Sequence, residues 1–258
     1  MPQGLLEEIE KAYQTRPVDA HFDHYEFAMD VQMNKQDLTY RVVAYDGPWK
    51  PIKYPWHVLD VMDYFLGQID KPHISSQAVV MDNVRIDGDV VIEAGARVFN
   101  GASIVGPAYI GAGSTVGDGA LVRESMIGKG CSVGHTSEVA RSYLADGCEL
   151  HRAVVLDSVF DESVNFSAGC ITANLRWDRN EVKSTVDGDR LLTGRRKFGA
   201  VVGRNAFISM QSGTMPGVKI GRDAVVGPFT NVMHDVPDGA LLYAEQKGAQ
   251  RLRDADAD

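Results

Sequence analysis

Branched apolar residues recur at every sixth position through the middle of the chain. Ile74, Val80, Ile86, Ile92, Val98, Ile104, Ile110, Val116 and Val122 form one unbroken run, and Val202, Ile208, Thr214, Ile220, Val226 and Val232 form another. A small or slim residue stands two places earlier, at Ala78, Val84, Val90, Ala96, Ala102, Ala108, Ser114 and Ala120. A period of six is neither helical nor a plain two-residue alternation. It describes a short strand, a tight turn and another strand, three to a triangular coil, as in a parallel β-helix. Alternation along each strand points the sixth residue and its slim partner inward, one large and one small per face.

Between the two runs the rule holds with shortened turns. The inward residues continue at Ile127, Val133, Val139, Leu144, Leu150, Val155, Phe160, Phe166 and Thr172, with Ser125, Cys131, Ser137, Ser142, Cys148, Ala153, Ser158, Val164 and Cys170 as partners. The three runs hold 24 inward positions, which is eight coils. Stacked at about 4.8 Å, they make a prism roughly 35–40 Å tall. The expected fold class is therefore all-β: a β-helix over 71–238, a cap over 1–70 and a tail over 239–258.

In the cap, Leu5, Leu6, Ile9 and Tyr13 predict a helix, Leu38–Tyr45 a strand, and Val58, Leu59, Met62, Phe65, Leu66 and Ile69 a helix that starts near Pro55 and stops before Lys71-Pro72. Such a piece would cover the open strand edges at the end of the prism. One insertion, 174–200, carries no inward residue and is rich in Arg and Lys. A long excursion in a compact repeat is usually functional. It is expected to project from one corner over a neighbouring subunit.

Composition narrows the class without naming a function. The chain has 258 residues, 44% apolar and 24% charged, which is that of an ordinary soluble protein. No apolar run is long enough to span a bilayer and no cleavable signal is evident, so a cytoplasmic protein without a membrane partner is expected. The net charge of −9 argues against non-specific nucleic-acid binding. The three cysteines fall at slim inward positions. Cys131 and Cys148 stack on adjacent coils, close enough for a disulfide, although a core thiol is the expected state in a reducing compartment. Their spacing is not that of a zinc site. His135 lies two places after Val133 and His151 one after Leu150, so the two are not expected to align, and no metal site is predicted.

The segments Ser167-Ala168-Gly169-Cys170-Ile171-Thr172-Ala173-Asn174-Leu175-Arg176, Thr193-Gly194-Arg195-Arg196-Lys197-Phe198-Gly199-Ala200-Val201-Val202-Gly203 and Met215-Pro216-Gly217-Val218-Lys219-Ile220-Gly221 carry a resemblance. Together they resemble the C-terminal half of sugar-phosphate nucleotidylyltransferases, and among these the bifunctional archaeal and bacterial enzymes that also acetylate amino-sugar 1-phosphates. The resemblance runs over about 40–245, including Tyr54-Pro55-Trp56. The glycine-rich N-terminal loop of the nucleotidylyltransferase half, with its Arg and Lys, has no counterpart here, so sugar-nucleotide synthesis is not expected.

The resemblance implies left-handed coils, a homotrimer and acetyl-CoA-dependent acyltransfer to an amino sugar or sugar phosphate. That chemistry needs a base, donors for an oxyanion and cations for phosphates. By resemblance, His151 is the base, Asn165 and Asn174 are acceptor ligands, and Arg123 binds phosphate. Ala168, Met210 and Pro228 match positions whose backbone lines the coenzyme groove. Arg195, Arg196 and Lys197 are candidates for coenzyme phosphates or for docking on an acidic neighbour. Three positions depart from the family: its tyrosine is Val154, a phosphate-binding lysine is Ala140 beside Arg141, and another lysine is Asn180, with Lys183 nearby as a substitute. These departures leave a second reading open, a non-catalytic structural or regulatory β-helix that partners a sugar nucleotidylyltransferase. The corners carrying His151 and Asn174 are one face apart, about 15–20 Å, so a complete site would be shared between subunits.

Overall fold

The computed structural model describes residues 5–15, 24–35 and 39–245. The described residues fall into two units, one within Met1–Trp49 and one within Lys50–Asp258.

In the first unit, α1 (Leu5–Thr15) and α2 (His24–Lys35) pack together, with Ala28 buried among Ile9, Phe27 and Met29. The first helix is the expected one. The second carries no sequence signal, because its apolar residues Tyr25, Phe27, Met29, Val31 and Met33 alternate around the helix and mark no single stripe. The strand expected over Leu38–Tyr45 is not formed: Leu38 lies outside the described residues, and 39–45 has no regular structure, with Val42 94% exposed. A β-prone run without a partner ladder leaves its backbone groups to water and does not become a strand.

The second unit is the β-helix. Its short strands stack as three parallel sheets of eight, nine and eight strands. Ile74, Ile92, Ile110, Ile127, Leu144, Phe160, Val202 and Ile220 stack in the first sheet, in the register that the six-residue count gives. Val80 through Val226 do so in the second and Ile86 through Val232 in the third. From Val90 upward the inward residues are almost wholly buried. One coil holds two phenylalanines, Phe160 and Phe166, edge to face at 5.2 Å, with the smaller Thr172 as its third inward residue. Eight coils are complete and a ninth begins: Val236 bridges to Ile220, and Leu241–Leu242 pairs with Val225–Val226. The helix therefore runs past the expected boundary at 238, because Leu242 continues the inward column.

The shortened corners are repaired by the slim partners. A corner that drops one residue loses a backbone carbonyl, and the serine of the preceding coil supplies the acceptor instead. Ser142 N–H donates to Ser125 Oγ and Ser158 N–H to Ser142 Oγ, both at 3.0 Å, and Ala153 N–H to Ser137 Oγ at 3.1 Å. The three thiols are free and buried, and donate to turn carbonyls: Cys131 to Ala145, Cys148 to Asp161 and Cys170 to Ser209, at 3.1, 3.1 and 3.0 Å. Burial raises the Cys170 thiol above its ordinary range.

The third helix, α3 (His57–Leu66), read from the sequence as part of an end cap, lies instead on a side of the prism. Its Leu59, Met62 and Leu66 are buried with Tyr109, Met126, Tyr143, Val159 and Val201, the outward residues of the first sheet. It covers a face of the prism because that sheet is apolar outside as well as in. In the first coil Ile74 is 46% exposed.

The 174–200 insertion also packs on its own chain. It leaves and returns at one corner, with an antiparallel bridge from Leu175 to Lys197 and a hairpin of Lys183–Val186 with Asp189–Leu192. Val182 and Phe198 are buried against α3, and Phe198 meets Trp56 edge to face at 6.3 Å. At Gly199 the chain rejoins the prism, where a Cβ would collide with the Ser158 hydroxyl and the Leu156 carbonyl.

Candidate functional site

The outward position just before each inward residue of the second sheet forms a column, and the residues just after it form the corner. In the upper coils these positions are Ser132, Glu149, Asn165 and Phe207 on the face, and His151, Ser167, Ala168, Ser209, Met210 and Pro228 at the corner. With the edge of Leu150 they line one open groove of about 680 Å³. Five of the sequence candidates, His151, Asn165, Ala168, Met210 and Pro228, meet here. They are far apart in sequence, and the stacking of equivalent corners brings them together.

The groove is polar at one end and apolar at the other. Asn165 is held from both sides, donating through Nδ2 to Glu149 Oε2 at 3.0 Å and accepting at Oδ1 from Ser167 Oγ at 2.9 Å. The His151 backbone is fixed by its N–H to the Phe166 carbonyl at 3.0 Å. Its exposed imidazole lies edge to face with His135, ring centroids 6.1 Å apart. This corrects the expectation that the two histidines do not align. Gly134 stacks on the backbone of His151 and has no side chain, so the ring of the next residue reaches over it. Among the described residues no group of three His, Cys, Asp or Glu side chains is placed to hold a metal ion. Phe207, Met210 and Pro228 make the apolar end. An accessible imidazole beside a fixed amide and an apolar trough suits proton removal next to a long ligand.

Glu149, Ser132, Ser167, Phe207 and Ser209 were not singled out in the sequence. The signal existed: Ser132, Glu149, Asn165 and Phe207 each precede an inward residue of the same sheet. Counting inward residues alone does not show which outward column is concave.

Asn174 and Arg123 lie at another corner, after the third sheet. Asn174 Nδ2 donates to Asp157 Oδ2 at 2.5 Å. Asp157, its side chain only 4% exposed, takes two parallel bonds from Arg141, Nε to Oδ1 at 2.7 Å and Nη2 to Oδ2 at 2.8 Å. That pairing holds the Arg141 guanidinium even more firmly protonated than usual. Arg123 is 3.7 Å from Glu138, and its buried Nε has no hydrogen-bond partner. Ala140 is wholly buried and Val154 half-buried. Lys183 and Asn180 are exposed on the insertion and line neither the groove nor this corner. Arg195 is held by Asp60 at 2.5 Å and Asp63 at 3.5 Å, both on α3. Arg196 donates from Nε to the Arg179 carbonyl, and Arg196 and Lys197 are exposed.

A family model described as the GMPPB C-terminal domain matches residues 69–175. The bifunctional sugar-1-phosphate nucleotidylyltransferase/acetyltransferase of Sulfurisphaera tokodaii is 38% identical over 216 residues, 82% of this chain and 53% of that protein. The bifunctional protein GlmU of Methanococcus vannielii is 34% identical over 217 residues, 80% of this chain and 49% of that protein. The chain thus spans about half the length of the curated relatives it matches. Among solved structures, the UDP-N-acetylglucosamine acyltransferase of Francisella novicida aligns at 14% identity over 66% of both chains, with a TM-score of 0.38.

Proposed function

We propose that this chain, whose left-handed β-helix belongs with the hexapeptide-repeat, acetyltransferase-like domain of bifunctional sugar-1-phosphate nucleotidylyltransferase/acetyltransferases, transfers acetyl from acetyl-CoA to an amino sugar. The acceptor class is a glucosamine-1-phosphate-like molecule. The observation that carries this reading is the convergence of His151, Asn165, Ala168, Met210 and Pro228 on one groove.

In this mechanism the coenzyme lies along the apolar end, against Ala168, Met210 and Pro228. The acceptor amine attacks the thioester carbonyl and the C–S bond breaks. His151 Nδ1 or Nε2 takes the proton lost by the nitrogen and passes it to the departing sulfur, so that CoA leaves as the thiol. Asn165, fixed by Glu149 and Ser167, orients the acceptor. Asn174 and Arg123 belong to the acceptor half-site and reach a groove from a neighbouring copy. A homotrimer supplies that geometry, since C₃ packing sets one prism's corner against the next prism's face.

The experiment is calorimetric titration of acetyl-CoA, followed by thiol release with glucosamine 1-phosphate. Binding and release are expected. No heat at millimolar acetyl-CoA removes the enzyme reading. It would favour the second reading, a non-catalytic partner of a nucleotidylyltransferase, which draws support from the buried methyl of Ala140 and the commitment of Arg141 to Asp157.

A further inference from the structure

Asp157 is nearly buried, and it is a carboxylate with three donors converging on it: two from Arg141 and one from Asn174. A buried carboxylate persists only when paired and hydrogen-bonded, and Arg141 supplies the charge in the bidentate form that suits it. An ionised carboxylate can only accept. It therefore decides which way the Asn174 amide faces: the nitrogen must turn to Asp157 and the oxygen away from it. Asn174 is itself half-buried, not closed off.

We propose that Asp157, anchored by Arg141, is a positioning residue that presents the amide oxygen of Asn174 outward, to accept a hydrogen bond from an N–H or O–H of the sugar. The inference rests on the acetyl-transfer reading for its ligand, and on the corner's own geometry for the orientation. It also gives Arg141 a role other than phosphate binding. With Nε and Nη2 given to Asp157 and Nη1 3.9 Å from Glu124, its guanidinium faces carboxylates. The column Glu124, Arg141, Asp157 alternates in charge along the corner, and all three residues sit at positive φ, 48°, 48° and 46°. This tight left-handed turn aims the side chains along the prism edge.

The orientation can be read without turnover. In the native protein with asparagine-selective ¹⁵N labelling, the Asn174 side-chain pair, identified by its loss in Asn174→Ser, should show one proton shifted downfield and slow to exchange. Asp157→Ala should return it to the range of exposed amides. A native pair already in that range overturns the proposal. Titrated glucosamine should perturb the same pair, and no perturbation by saturating glucosamine overturns the ligand assignment.

In steady-state assays, Asp157→Asn should raise the acceptor KM about tenfold. It should leave kcat within about threefold and the KM for acetyl-CoA unchanged, and Arg141→Lys should fall between it and the native protein. Equal losses in both KM values and kcat, together with a lowered Tm, would mean a merely structural corner. If the native protein acetylates no amino sugar, the functional proposal fails, while the labelled spectra still decide the orientation and the glucosamine contact.

Discussion

His151 is an exposed imidazole whose neighbours are its own groove and the ring of His135. Removing a positioned base costs about 10²–10⁴-fold in rate. His151→Ala should therefore lower kcat by that order while acetyl-CoA still binds by calorimetry, and unchanged turnover would take the role from His151. Asn165 differs because Glu149 and Ser167 hold its amide on both sides. Glu149→Gln keeps the shape and introduces a donor facing the Asn165 nitrogen. It should raise the acceptor KM several-fold with little change in Tm, measured by steady-state kinetics and thermal melting. Residue identity made His151 and Asn165 visible, because a motif carried them. Glu149, Ser167 and Asp157 act by what they touch, and contact is not written in residue type.

At the scale of elements, α3 and the insertion brace one another on the first sheet. Phe198 is wholly buried beside Trp56 and Leu59. Phe198→Ala should cost about 3–5 kcal/mol by emptying that cluster. Arg195→Ala, which removes a partly exposed pair with Asp60 and Asp63, should cost no more than about 1 kcal/mol. Denaturant midpoints of the two variants give the comparison, and a larger loss at Arg195 would reverse the ranking. The same cover desolvates Tyr109 and Tyr143 and raises both phenols above their ordinary range, with Glu93 adding to the effect at Tyr109 and Asp146 at Tyr143. A phenol raised on folding ionises first in the unfolded chain. Stability should hold below about pH 10 and fall as pH rises through the folded values. Urea midpoints at pH 9 and 11 should show the drop, smaller in Tyr109→Phe/Tyr143→Phe. Periodicity located α3 and its start near Pro55, but the helix stops at Leu66, short of the expected end before Lys71, and periodicity missed where it docks. The outward apolar column Tyr109, Met126, Tyr143, Val159 and Val201 that receives it sits one place before the inward residues, and it was legible only once the faces were assembled.

At the scale of the whole molecule, the His151 and Asn174 corners of one chain are separated by a full face. A shared site makes a sharp expectation. Light scattering should give about 85 kDa, three times the 28.2 kDa chain. Co-expressed His151→Ala and Asn174→Ala chains, each inactive alone, should recover about a quarter of native activity, the fraction of randomly formed interfaces with both residues intact. No recovery in proven mixed oligomers would place the whole site on one chain.

The order of the chain alone determined the prism: which residues face inward, the register of the coils across shortened corners, and the place where the insertion leaves. An inward residue every six positions can be buried in only one way, so pattern and packing coincide there. Tertiary structure alone decided that α3 lies on a face, that the insertion folds back on its own chain, that His135 reaches His151 across Gly134, and that Asp157 turns the amide of Asn174. Each of these depends on outward side chains of different coils meeting after stacking. A local repeat constrains the side of the strand that it buries and leaves the other side free.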